Sequence, residues 1–89
     1  MSNNNFKIVP PQLPLNLEAL SLNGNQIDSI PHKFINLKNL TIFEIYNNPI
    51  IQLPTIINRM KNLKQITINK NVVFRQINPN IYIKRLWIW

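Results

Sequence analysis

Leu17-Glu-Ala-Leu20-Ser-Leu22-Asn-Gly-Asn25 is the stretch that decides the fold. It reads L-x-x-L-x-L-x-x-N and returns twice, as Leu40-x-x-Phe43-x-Ile45-x-x-Asn48 and as Leu63-x-x-Ile66-x-Ile68-x-x-Asn71. Leu17, Leu40 and Leu63 follow one another at intervals of 23 residues. A fixed period in this range marks a solenoid, in which each unit buries its apolar face only against its neighbours. Within each copy the apolar residues alternate, as at Leu20 and Leu22. That predicts a short strand with one apolar face.

Downstream of each asparagine the pattern continues as Asn25-x-Ile27-x-x-Ile30-Pro31 and Asn48-x-Ile50-x-x-Leu53-Pro54. Phe34 and Leu37, then Ile57 and Met60, follow at helical spacing. Pro31 is placed at a first helical position, where its preset φ fits. Asn39 closes the first unit, and asparagine tolerates the left-handed backbone often used after a helix. Together the apolar register, the asparagine and the proline-ended turn resemble the leucine-rich repeat family, and in particular its intracellular adaptor or scaffold members. The resemblance implies an α/β solenoid with a small parallel concave sheet and irregular or short helical convex returns. It also implies that Asn25, Asn48 and Asn71 point inward and bond the backbone of their turns. A buried amide left unpaired costs about 1–3 kcal/mol.

The organisation expected is a single domain, 1–89, built from a partial repeat at 4–16, full repeats at 17–39, 40–62 and 63–85, and a terminal strand or cap at 86–89. The partial repeat, Asn4-x-Phe6-x-x-Val9-Pro10, copies the later half of the unit and lacks a strand of its own. Pro10, Pro11 and Pro14 exclude a regular helix in its return. Repeat three decays. Val73 fits an inward position, no proline follows, and a one-residue insertion brings Ile77 and Ile81 inward. A further step of 23 from Leu63 lands on Leu86, so the fourth strand is expected at Leu86 or Trp87. Neither end shows an obvious polar cap, which predicts marginal stability or a partner covering an end.

Composition narrows the class. The 89 residues include no cysteine, so disulfides and cysteine-based metal sites are excluded and an intracellular, cytoplasmic setting is expected. Met1–Asn5 is polar and does not read as a signal peptide. No apolar run is long enough to span a bilayer. His32 stands alone, and Glu18, Asp28 and Glu44 fall one per segment. No nucleophile–base pair, carboxylate dyad or metal cluster is therefore proposed, and Gly24 alone cannot make a phosphate loop. The reading is non-enzymatic, with no cofactor.

The net charge of +7 raises the question of polyanions. Lys33, Lys38, Arg59 and Lys61 fall in the returns, where they read as a solvated exterior. The concave positions alternate with the buried ones: Ala19, Ile42 and Gln65; Ser21, Glu44 and Thr67; Asn23, Tyr46 and Asn69; Gly24, Asn47 and Lys70. A protein partner bound through this face is the leading function, with Ile42, Glu44, Tyr46, Thr67 and Asn69 as the partner-binding residues. Ile42 and Tyr46 are the large apolar anchors. The alternatives are a basic exterior with an aromatic tail on nucleic acid or anionic membrane, and a truncated repeat remnant without independent function. Self-association through the C-terminal strand is a further way to use an edge.

Overall fold

The computed structural model describes residues 3–86. Its strands are β1 (Ala19–Ser21), β2 (Ile42–Glu44), β3 (Gln65–Asn69) and β4 (Tyr82–Leu86). Two five-residue 3-10 turns, His32–Asn36 and Thr55–Arg59, lie between the first three strands. The four strands form one parallel sheet in chain order. The register runs Ala19↔Ile42 and Ile42↔Gln65, so the sequence period is also the spatial period. The architecture is the expected α/β solenoid, with a parallel sheet of four strands.

Alternation puts Leu20 and Leu22, Phe43 and Ile45, and Ile66 and Ile68 on the inner face, all buried. The returns supply the opposite wall: Ile27, Ile30, Phe34 and Leu37, then Ile50, Leu53, Ile57 and Met60. Phe34 leans on Phe43 with ring centroids 4.7 Å apart and planes at 50°. Pro31 and Pro54 are extended and stand just before the 3-10 turns, not at their first position. Their carbonyls accept the N–H of Phe34 (3.1 Å) and Ile57 (3.3 Å). Each return is too short for an α-helix, and the tighter turn fits in the few residues left. Asn39 does not adopt the left-handed backbone; among the described non-glycine residues only Asn3 and Asn47 do.

The turns after β1 and β2 are closed by buried asparagines. The Asn25 amide donates to Leu22 O (2.8 Å) and Asn23 O (3.3 Å), and its Oδ1 accepts Phe6 N–H (3.2 Å). The Asn48 amide donates to Leu22 O (2.9 Å), Ile45 O (3.2 Å) and Tyr46 O (3.2 Å), and its Oδ1 accepts Ile27 N–H (3.0 Å). Each side chain thus closes its own turn and pins the one before it.

Repeat three departs from this scheme, and the expectation for Asn71 and Val73 is corrected. Asn71 is exposed, Val73 is 58% exposed, and Val72 is buried instead. The left-handed position of the turn is Gly24 (φ 71°) in repeat one and Asn47 (φ 58°) in repeat two. Its counterpart is Lys70, which does not take a positive φ. For an ordinary L-residue that conformation costs about 1–2 kcal/mol, and asparagine is one of the few that tolerate it. The third turn closes instead with Val72 N–H on Asn69 O (3.3 Å), and the Asn71 side chain stays outside.

The third return is also shorter. Asn58 gathers it, its Oδ1 accepting Asn78 N–H (2.7 Å) and its amide donating to Gln76 O (2.8 Å). Ile81 N–H then reaches Asn78 O (2.9 Å). Ile81 is buried and Ile77 packs partly on the core, as expected. But Gln65 pairs with Tyr82, a step of 17 residues. The fourth strand therefore begins at Tyr82, not at Leu86 or Trp87, and the boundary drawn at 85 falls inside β4. Of the expected terminal segment 86–89, Trp87–Trp89 lies outside the described residues. In β4, Arg85 pairs with Ile68. Its guanidinium donates to Lys70 O (2.8 Å) and Val72 O (2.7 Å) and lies 5.1 Å from the centre of the Phe74 ring. Arg85 thus holds the third turn, which Asn71 does not.

The expected partial repeat packs against the first full one. Asn3 N–H bonds Asn23 O (2.8 Å), Gln26 N–H bonds Phe6 O (2.7 Å), and Val9 is buried. Asn3–Asn5 and Lys7 form the exposed side of this half repeat. A Cβ on Gly24 would lie 3.2 Å from Asn3 N and closer still to its side-chain oxygen. The glycine therefore makes room for Asn3 and the partial repeat.

Asn48 and Asn71 should separate in a urea titration. Asn48→Ala leaves Ile27 N–H without its acceptor in the core and removes three donated bonds, although Leu22 O keeps Asn25 and Tyr46 O keeps Gly24 N–H, and should lower stability by about 1–3 kcal/mol. Asn71→Ala should change it by less than about 0.5 kcal/mol. Equal effects would contradict the register of repeat three.

Candidate functional site: the concave face of the sheet

The residues between the buried ones project to the concave side, and strand pairing arranges them in rows. The first is Ala19, Ile42, Gln65, Tyr82; the second is Ser21, Glu44, Thr67, Lys84. Beyond it Asn69 lies opposite Leu86, and Tyr46 N–H bonds the Asn23 side chain. Neighbouring positions in a row are about 4.8 Å apart across the sheet.

The five residues expected to bind a partner divide into two groups. Ile42 is 41% exposed, and Glu44 and Tyr46 are half-buried with accessible surface. Thr67 and Asn69 are only 2% and 5% exposed, so neither offers a contact surface. Asn69 is a structural residue. Its Oδ1 accepts Asn47 N–H (2.7 Å) and its amide donates to Asn48 O (3.3 Å).

Asn23 plays a similar part at the other side of β2. Its Oδ1 accepts Tyr46 N–H (3.0 Å), standing in for Leu22 O, which already accepts from Asn25 and Asn48. Its amide donates to Ser21 Oγ (2.7 Å) and to Glu44 Oε1 (2.9 Å), which orients that carboxylate on the concave face. Thr67 Oγ1 is buried and has no hydrogen-bond partner.

The fixed count of 23 hid two members of the face. Tyr82, 62% exposed, extends the row of Ile42 and Gln65, and exposed Lys84 lies across Thr67 from Glu44. The signal for them was in the chain. Asn78-Pro79-Asn80 marks a turn, and alternation begins at Ile81 and Ile83 directly after it. The resulting surface is a mixed patch: an aliphatic and an aromatic side chain at either side of Gln65, with one carboxylate and one ammonium in the next row.

Among the described residues, no group of three or more His, Cys, Asp or Glu is placed to hold a metal ion. No helix there is long and apolar enough to cross a membrane.

A sequentially ordered parallel sheet, irregular returns and an inward asparagine at the turn define a leucine-rich-repeat solenoid. The family model for leucine-rich repeats, in two copies, matches residues 15–58, and the chain belongs to that family. It is 35% identical to bovine (Bos taurus) osteomodulin over 86 residues, which is 96% of this chain and 19% of osteomodulin. It is 34% identical to mouse (Mus musculus) keratocan over 86 residues, 91% of this chain and 24% of keratocan. Similarity to the disease resistance protein RPS4B of Arabidopsis thaliana is 31% over 80 residues, 85% of this chain and 7% of that protein. The chain spans about a fifth to a quarter of the length of osteomodulin and keratocan. The family generally mediates protein–protein interaction.

Thr67 gives a direct check of the burial pattern. Thr67→Val keeps the shape and removes an unpaired buried hydroxyl, so thermal unfolding should occur at the same temperature or higher. A destabilisation above about 1 kcal/mol would mean that the hydroxyl has a partner.

Proposed function

We propose that this leucine-rich-repeat unit is a non-catalytic protein-interaction module. It engages its partner across the concave sheet, with Ile42 and Tyr82 as anchors on either side of Gln65. Glu44 and Lys84 set the partner's orientation through opposite charges, and Tyr46 borders the patch. Thr67 and Asn69 contribute by holding the sheet beneath. The observation that carries this reading is the row Ile42–Gln65–Tyr82, where large side chains remain exposed on a rigid strand platform. Such groups are suited to act as anchors within a polar rim. The same proposal sets the module in the cytoplasm. With no cysteine, its fold needs no oxidising compartment.

The test is site-specific photocrosslinking in cells. A crosslinker at Gln65 should capture a discrete protein, whereas one at Gln52, which lies away from the concave face, should not. Combining Ile42→Ser with Tyr82→Ala should weaken that capture about tenfold or more at an unchanged melting temperature. Capture from Gln52 alone, or full capture by the double variant, would place the binding surface elsewhere.

A further inference from the structure

The returns carry a second surface, distinct in chemistry from the concave one. Lys38, Arg59 and Lys61 line a single cleft of about 420 Å³ together with Ile35, Met60 and Asn62. In sequence they read as scattered exterior charge; the stacking of repeats brings them together. Lys38 and Lys61 occupy the same position in consecutive repeats, and Arg59 sits in the last turn of the second 3-10 segment. No acidic residue lines the cleft. Asp28 lines a different cleft, and Glu44 is held on the concave face by Asn23.

The backbones that carry these cations are fixed relative to one another. The Asn62 amide donates to Lys38 O (2.7 Å), tying the end of one return to the end of the next. Leu40 N–H on Leu37 O (3.2 Å) and Leu63 N–H on Met60 O (3.1 Å) close the two adjoining turns in the same way. The half-buried Ile35 and buried Met60 give the cleft an apolar floor. Three cationic side chains lining one cleft with no acidic residue among them favour an anion between them. A guanidinium also presents a planar fork that matches two phosphate oxygens, while ammonium groups act as point charges beside it.

We propose that this cleft binds a phosphate group, with Arg59 as the bidentate donor and Lys38 and Lys61 as flanking charges. The chemistry is that of a phosphate monoester, whether carried by a soluble molecule or by a lipid headgroup. The site is independent of the concave face, so one chain can hold a protein partner and a phosphate-bearing ligand at the same time.

The experiment is an amide chemical-shift titration of the whole chain with inorganic phosphate at low ionic strength, against chloride at matched ionic strength. Saturable shifts centred on Lys38, Arg59, Lys61 and Asn62 are expected. Lys38→Gln combined with Lys61→Gln should weaken binding about tenfold or more while leaving the melting temperature and the concave-face amides unchanged. Shifts of equal size around Lys7, Arg75 and Lys84, or no shifts beyond those caused by chloride, would overturn the proposal in favour of diffuse attraction by a +7 chain. A second arm identifies the carrier. Co-sedimentation with phosphatidylcholine vesicles that contain a phosphomonoester lipid, lost in the double variant, assigns the headgroup. Binding to soluble phosphate but not to such vesicles assigns the soluble form. Sedimentation that the double variant retains overturns the assignment of this cleft to a lipid headgroup.

Discussion

The structure depends on what happens to the backbone immediately after each strand. A short parallel strand must turn sharply into its return, and the turn leaves N–H and C=O groups inside the core. Unpaired, each of them costs about as much as a good hydrogen bond contributes, and more where water is excluded. Asn25 and Asn48 settle this by placing an amide among the orphaned groups, with donors for the carbonyls of their own turn and an acceptor for the preceding one. Apolar stacking supplies most of the driving force, but only in the register these amides allow. A slip by one residue along a strand would exchange its buried and concave faces.

The ends show how far that device extends. At the N-terminal end the half repeat donates Phe6 N–H to Asn25 as the full repeat donates Ile27 N–H to Asn48. The polar, proline-rich segment thus joins the stack through the same hydrogen bond as the full repeats. At the other end Lys70 does not take the conformation that swings the asparagine inward, and a different solution appears. Arg85 covers two carbonyls of the third turn and rests on Phe74. Here a long exposed cation does what a short buried amide does in the first two repeats, with solvent to hydrate its remaining donors.

Function on this scaffold is divided by face. The concave rows mix exposed apolar groups with isolated opposite charges, the make-up of a protein contact. The returns gather like charge around a cleft, the make-up of an anion site. Neither surface interferes with the core, since strand alternation separates buried from concave positions and the returns keep their cations on the outer side. The asparagines at Asn23 and Asn69 link the two levels. They look outward in sequence, yet they are consumed by the backbone of β2 and its turn.

Much of the fold was legible because its cause is local and periodic. Leu20 with Leu22, Phe43 with Ile45, and Asn25 with Asn48 announce buried strands and closed turns, and stacking at a fixed period follows from them. Ile42 and Tyr46 were legible as concave residues for the same reason. What the chain alone did not reveal comes from contacts between repeats. The burial of Thr67 and Asn69 depends on the strands on either side of β3. The 17-residue step that brings Tyr82 and Lys84 onto the concave face depends on Asn58 gathering the third return. The grouping of Lys38, Arg59 and Lys61 depends on two returns lying side by side. Sequence by itself determined the period, the inner face and the closing amides of the first two repeats, because each recurs as the same local pattern in every regular unit. Tertiary structure decided where the period breaks and which outward residues remain exposed, because backbone conformation at Lys70 and packing between units are settled only when the repeats are stacked.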